Sequence, residues 1–246
     1  MESMKGTRTF LKADLWERWE DLESDQKRHL PHPPHQKPYP DDAKLVDLVA
    51  PRDFTVGDLS LKQAILRRKS RRSCAQTPLT LEELSFLLWA TQGVHEVSAS
   101  VYRTVPSAGA RHPFETYVLV NRVSDLDPGL YRYLSLEHKL CFLRNEADLV
   151  QSVHDASSRQ YVQESAVTFI WTAIPYRTEW RYGVLSPKLV ALDAGHVGQN
   201  LYLAAEAIDA GVCTLGAYNQ RKLDAVLGVD GEEEFAVYLA PVGKVQ

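Results

Sequence analysis

The sequence predicts an α+β fold, and two observations carry that expectation. Strand-like and helix-like segments are mixed along the chain without a regular βαβ alternation, and no internal repeat is visible. The 246 residues are 44% hydrophobic and 24% charged, which is enough apolar side chain for one sizeable core and too little charge density for global disorder.

The elements read as follows. Residues 10–28 place Phe10, Leu11, Leu15, Trp16, Trp19 and Leu22 at helical spacing, predicting an amphipathic helix whose aromatic stripe needs a partner surface. The following stretch, HLPHPPHQKPYPDD, cannot hold a helix because of its prolines and reads as a solvated linker. Its histidines, His29, His32 and His35, have no fixed turn to converge them, so no metal site is expected. The chain therefore divides into an arm and linker over residues 1–42 and a domain over 43–246. In the domain, residues 59–68 and 79–89 read as helices, the second opened by a Thr80/Glu83 capping box. Residues 116–123, 130–134 and 139–143 read as strands rich in Tyr, Val and Leu. A helix at 146–156, a buried strand at 166–173, a long helix at 188–210 closed by Gly211, a short helix at 220–227 and a strand at 235–239 complete the chain.

Charge and cysteine usage narrow the function classes. Twenty-eight Lys and Arg stand against 32 Asp and Glu, a balance that argues against a dedicated nucleic-acid binder. Cys74, Cys141 and Cys213 are far apart and form no CxxC pair, so a disulfide framework and a metal centre are both unsupported. No stretch approaches the ~18 apolar residues of a membrane span, and the N-terminus has no signal-peptide core. A cytoplasmic protein without a membrane partner is expected.

Four segments carry candidate chemistry. Arg67-Arg68-Lys69-Ser70-Arg71-Arg72-Ser73 packs five cations and two hydroxyls behind a helix, and an extended backbone aims Arg68, Ser70 and Arg72 the same way. Arg forks and a hydroxyl suit a phosphate monoester, although a solvated basic patch has the same composition. Val105-Pro106-Ser107-Ala108-Gly109-Ala110 fixes a turn with room for a flat ligand. Ala194-Gly195-His196-Val197-Gly198-Gln199-Asn200 exposes backbone along one side of the long helix, permitting close helix contact. In Gly211-Val212-Cys213-Thr214-Leu215-Gly216-Ala217, Gly216 brings a backbone amide within reach of a ligand or forms a turn.

The order of these pieces resembles the nitroreductase superfamily, and in particular the SagB-type dehydrogenases that oxidise azoline rings in ribosomal peptides. The leucine-rich run LTLEELSFLLWATQG and the Gly129-Leu130-Tyr131-Arg132-Tyr133 strand add to the resemblance, which extends from about Leu59 to Val245. It implies a three-layer sandwich, an intertwined homodimer and non-covalently bound FMN between the subunits. FMN rather than FAD also fits the absence of a strand–GxGxxG–helix unit. By resemblance, Arg68, Lys69 and Ser70 hold the phosphate end, Lys244 adds a second cation, and Arg72 lies toward the ring. Pro106, Ser107 and Gly109 line the ring from the other subunit, and Leu215 and Gly216 give backbone contacts near N5. NAD(P)H or a modified peptide is the implied reaction partner.

Two positions depart from the peptide-oxidising relatives. They carry a Lys-Tyr pair ahead of the A-G-H helix, where this chain has Arg181-Tyr182, the candidate catalytic pair. Arginine stays protonated at ordinary pH and cannot act as a base. His112 stands where relatives carry Tyr. The two functions to separate are an FMN-dependent oxidoreductase and a non-catalytic flavin-binding or scaffold subunit of a peptide-modifying complex.

Overall fold

Every residue of two central strands, β4 (Phe114–Val120) and β7 (Val167–Ala173), is buried. A strand covered on both faces reads as a continuous apolar run, and alternate side chains serve two different cores. The computed structural model describes residues 8–245, and it shows this division directly. Val118, Val120, Phe169 and Trp171 enter one cluster, while Tyr117, Leu119 and Ile170 enter the other.

The sheet has seven strands. β1 (Leu45–Asp47), β4, β5 (Gly129–Leu134), β6 (Lys139–Arg144), β7, β8 (Ala210–Val212) and β9 (Phe235–Lys244) lie in the order β1-β6-β5-β4-β7-β9-β8. Each neighbouring pair is antiparallel. On one face pack α2 (Leu81–Gln92) and the long α5 (Ser186–Glu206); on the other pack α3 (Leu149–Ala156) and α6 (Gln220–Leu227). The result is a three-layer α+β sandwich, as the sequence predicts. α1 (Leu61–Arg67) lies against α5, and α4 (Tyr176–Tyr182) leads into it. The hairpin of β2 (Val94–Val97) and β3 (Val101–Arg103) stands apart from the main sheet.

Local signals fix most boundaries. The Thr80 hydroxyl accepts from the Glu83 amide and the Glu83 carboxylate accepts from the Thr80 amide, so the capping box forms as read. The long helix ends earlier than the sequence suggests. Asp209, at φ 51°, takes the left-handed position that reverses the chain, and Gly211 passes into β8 instead of capping the helix. A Cβ on Gly211 would come within 2.6 Å of Arg71 Cδ, so this glycine lets the Arg71 stem cross the strand.

The N-terminal region differs from its sequence reading. Residues 10–28 form 3₁₀ turns, Arg8–Leu11 and Asp14–Arg18, followed by further turns, and no continuous α-helix. A 3₁₀ turn eclipses positions three apart, which puts the Trp16 and Trp19 rings 5.4 Å from each other. The proline-rich stretch is a strap and not a solvated linker. Pro33 is buried, Arg132 donates to the Pro38 carbonyl, Arg103 to the His35 carbonyl, and the Lys37 amide to Glu115. The two buried arginines need acceptors, which the strap's carbonyls supply, and the buried Glu115 carboxylate needs donors, one of which is the strap's Lys37 amide.

Candidate functional site

Parity along the cationic segment sorts its side chains. Ser70 bridges in parallel to Val212, and the Arg71 amide donates to the Val212 carbonyl, which holds this stretch extended beside β8. Arg67 and Arg71 turn inward to the buried Glu206 at the end of α5, and Arg67 also meets Asp209 at 2.6 Å. Arg68 and Ser70 turn the other way, to Tyr202. The Arg68 guanidinium lies 5.4 Å from the Tyr202 ring centre, and the Ser70 hydroxyl is 3.0 Å from the Tyr202 hydroxyl. Lys69 and Arg72 are exposed and form no ion pair among the described residues. The segment therefore presents Arg68, Lys69, Ser70 and Arg72 with their charge uncompensated, while Glu206 and Asp209 take up the other two arginines.

Tyr202 is the hub of this side of the site, and the sequence reading missed it. Its hydroxyl accepts from the Thr214 amide at 3.0 Å, and the Tyr238 hydroxyl donates to Thr214 Oγ1 at 2.7 Å. A Cβ on Gly198 would lie 2.8 Å from Tyr238 Cε1, so the glycine admits this ring against the helix. Gly198 and Ala194 thus face inward, and of the three small residues expected to form an outward face only Gly195 is exposed. The spacing of Gly198 and Tyr202, one helical turn, was the available signal.

The structure distinguishes between the paired assignments beyond Thr214. Leu215 is buried, and both its amide and its carbonyl are bonded to Leu239. Gly216 is exposed, with nothing within 4 Å of the place a Cβ would take. Gly216 is therefore the residue with backbone free for a ligand. Lys244 donates to Glu83 and to the Ile208 carbonyl, so its ammonium is already compensated inside the chain.

The second group gathers around a loop anchored to the middle of α5. Ser107 donates to Asp193 at 2.5 Å, the Ala108 amide donates to the same carboxylate at 3.3 Å, and the His112 amide donates to Ser107. Burial pushes the Asp193 carboxyl above its ordinary range, opposed by these two hydrogen bonds. Gly109, at φ 58°, sits where a Cβ would fall 2.6 Å from the Tyr182 hydroxyl and 3.1 Å from Arg181 Cδ. Pro106, Ser107, Gly109, His112 and Arg181 line one cleft of about 490 Å³. His112 is held neutral, its pKa pushed down to about 3 by burial and then by the Arg103, His35, Arg111 and Arg177 charges.

Arg181 and Tyr182 end α4. The Arg181 guanidinium lies 5.4 Å from the Tyr182 ring centre, and its Nε is buried without a partner. Tyr182 is only 8% exposed because Trp16 and Trp19 of the arm cover it. The two groups are Arg68/Ser70/Gly216 near the C-terminal end of α5 and Ser107/Gly109/Arg181 near its middle and start, and the cleft of the second group is not lined by the first.

With this geometry in place, comparison with known proteins decides the family. The nitroreductase family model matches residues 65–244. The chain belongs to the nitroreductase family. A protein of Methanocaldococcus jannaschii, provisionally named a nitroreductase, is 31% identical over 189 residues, which are 77% of this chain and 93% of that protein. The trifolitoxin-processing protein TfxB of Rhizobium leguminosarum bv. trifolii is 27% identical over 145 residues, which are 57% of this chain and 39% of that protein. A solved structure from Ralstonia eutropha, also provisionally named a nitroreductase, superposes with a TM-score of 0.68 at 27% identity, covering 88% of this chain and 99% of that one. This nitroreductase-family oxidoreductase has no helix, among the described residues, that is long and apolar enough to cross a membrane.

Proposed function

We propose that the protein is an FMN-dependent oxidoreductase working as a homodimer in the cytoplasm, with small electron-poor acceptors such as quinones or nitroaromatics as substrates. The observation that carries this reading is the sorting of the cationic segment. Arg68, Lys69, Ser70 and Arg72 present uncompensated charge and a hydroxyl, as a terminal phosphate monoester requires. Gly216, open at its Cβ position beside Thr214, leaves room for a flat ring at the backbone. When bound, FMN supplies hydride chemistry at N5, and the protein supplies position, charge and exclusion of water.

Two features support the dimer. The cleft lined by Pro106, Ser107 and Gly109 includes neither Arg68 nor Ser70, which favours a ligand that reaches the two groups across two chains. Outward-facing apolar residues on α1 and α5, namely Leu61, Ile65, Leu66 and Leu192, are between 52% and 73% exposed and lack a partner in one chain.

The test is a spectrum. Purified protein should be yellow, bleach on addition of NADH or NADPH, and release FMN on heating. Recovery of FAD, or no flavin after reconstitution, defeats the reading. A second reading, a non-catalytic or scaffold subunit of a peptide-modifying complex, draws on the burial of Tyr182 under the arm and on the processing role in the name of TfxB. Flavin that binds but is bleached by neither nucleotide and, once reduced anaerobically with dithionite, does not regain its colour on addition of a quinone or nitro acceptor would favour it.

A further inference from the structure

The cleft beside Ser107 contains more positive charge than the chain neutralises. Its lining residues, Ser100, Tyr102, Arg103, Ser107, His112 and Arg181 among them, include no carboxylate. Arg103 is 8% exposed, donates only to the neutral Gln92 side chain and the His35 carbonyl, and leaves Nε without a partner. Among the described residues Arg181 has no acid partner, and its Nε is buried and unpartnered. Arg111, behind Ser100, is 4% exposed and bonded to His32, the Gly109 carbonyl and the Ser100 hydroxyl, again with no carboxylate. Of the acids around the cleft, Asp193 is engaged by the Ser107 hydroxyl and the Ala108 amide, and Glu115 holds Arg177 at 2.5 Å and Arg132 at 3.9 Å. A buried guanidinium without a counter-charge is destabilising, and a cluster of them is stable only where an anion completes it.

We propose that this cleft is an oxyanion site that receives a carboxylate or phosphate group of the substrate, held between Arg103 and Arg181. The Arg181 fork matches the paired oxygens of either group, and Arg103, whose terminal nitrogens already donate to Gln92 and the His35 carbonyl, adds its charge from the cleft lining. Pro106, exposed in the same lining, gives the apolar body of such a ligand a surface. The inference rests on the oxidoreductase reading only in assigning the anion to the substrate. It narrows the acceptors to anionic ones and gives Arg181 a binding role in place of the proton transfer that arginine cannot perform.

The experiment is a calorimetric titration of the full-length protein, cofactor included, with benzoate and with inorganic phosphate, and with benzamide as the uncharged control. Benzoate or phosphate should bind at least tenfold more tightly than benzamide, and which of the two binds identifies the group. Arg181→Gln should remove about 10- to 100-fold of that affinity, the scale of a lost charged hydrogen bond, and Arg181→Lys should restore part of it. Arg103→Gln should act in the same direction where it folds, and the exposed-side Arg181 variants carry the test where it does not. Anion affinity no better than that of benzamide, or unchanged in Arg181→Gln, overturns the proposal. So does Arg181→Gln halving the particle mass in light scattering with no anion affinity to lose, since a partner subunit's acid would then be the counter-charge. Flavin absorbance in the same samples separates the two readings: flavin-free protein that binds benzoate sinks FMN and leaves the oxyanion site standing.

Discussion

The Tyr182 ring lies 5.5 Å from the ring of Trp19 and 6.0 Å from that of Trp16, so the arm closes over the residue that ends α4. Each such aromatic pair contributes about 0.5–1.5 kcal/mol beyond its area. Trp16→Ala/Trp19→Ala should therefore lower stability by roughly 1–3 kcal/mol and expose Tyr182. For an acceptor too bulky to enter beneath the arm, kcat/KM should rise several-fold, with little change for a small quinone. A loss of activity toward both would make the arm part of the working site and not a cover.

Glu206 separates structural arginines from ligand-facing ones. Glu206→Gln leaves Arg71 largely buried beside a neutral amide, and breaking such a pair costs about 3 kcal/mol. Urea unfolding should show that loss directly. Arg68→Ala should behave in the opposite way, leaving the unfolding midpoint of the cofactor-free protein nearly unchanged while weakening FMN by roughly 1.5–3 kcal/mol. Lys244→Met should resemble Glu206→Gln, because its ammonium is held by Glu83 and Ile208. Equal effects of all three on FMN affinity would contradict this division.

Two histidines impose a pH dependence on stability. Burial pushes His35 down to about 4 and His112 down to about 3, while an unfolded histidine titrates near 6.5. A depressed histidine binds its proton more readily in the unfolded chain, so its stabilisation is complete above pH 6.5 and is lost as pH falls toward the folded value. Between pH 7 and 5, above the ordinary range of carboxyl groups, the unfolding midpoint should fall, with the raised Asp193 carboxyl opposing part of the loss. The loss for the more deeply buried His112 is on the order of 2 kcal/mol. His112→Asn should flatten the profile over this window; an unchanged slope would mean that His112 is not the group responsible.

How much of this was legible beforehand depends on the range of the interaction. Thr80 and Glu83, three residues apart, announce their helix start, and the apolar run at 166–173 announces a buried strand. The alternation of Arg68, Ser70 and Arg72 was readable because an extended backbone has period two. The strap was not, because its order comes from Arg103, Glu115 and Arg132, all more than sixty residues away, and prolines compatible with a linker are equally compatible with a pinned segment. Lys244 and Leu215 were misleading for the same reason: sequence places them beside the site, and only the fold reveals Glu83 and Leu239 as their partners. The anion-poor cleft needs Arg103 and Arg181, 78 positions apart in sequence, in one lining.

The last prediction concerns reaction type and turns on Arg181. Azoline oxidation requires a C–H proton to leave as hydride departs, and the resemblance to the peptide-oxidising dehydrogenases implies lysine at this place. Arginine keeps its proton, and here its guanidinium lies over the Tyr182 ring. Removal of a general base costs about 10²–10⁴-fold. A quinone or nitro group needs no such base, since its electron-rich oxygen can collect protons from solvent. Turnover of a thiazoline peptide should therefore be close to background, while a carboxylated quinone or nitroaromatic is reduced readily. Arg181→Lys should raise azoline turnover only partly, because Trp16 and Trp19 still cover Tyr182 and hinder a peptide's approach. Combining Arg181→Lys with Trp19→Ala should raise it more than either change alone. If the unaltered protein instead converts azolines rapidly with oxygen as acceptor, Arg181 is not the controlling residue, and the Tyr182 hydroxyl beside Gly109 becomes the group to test by Tyr182→Phe.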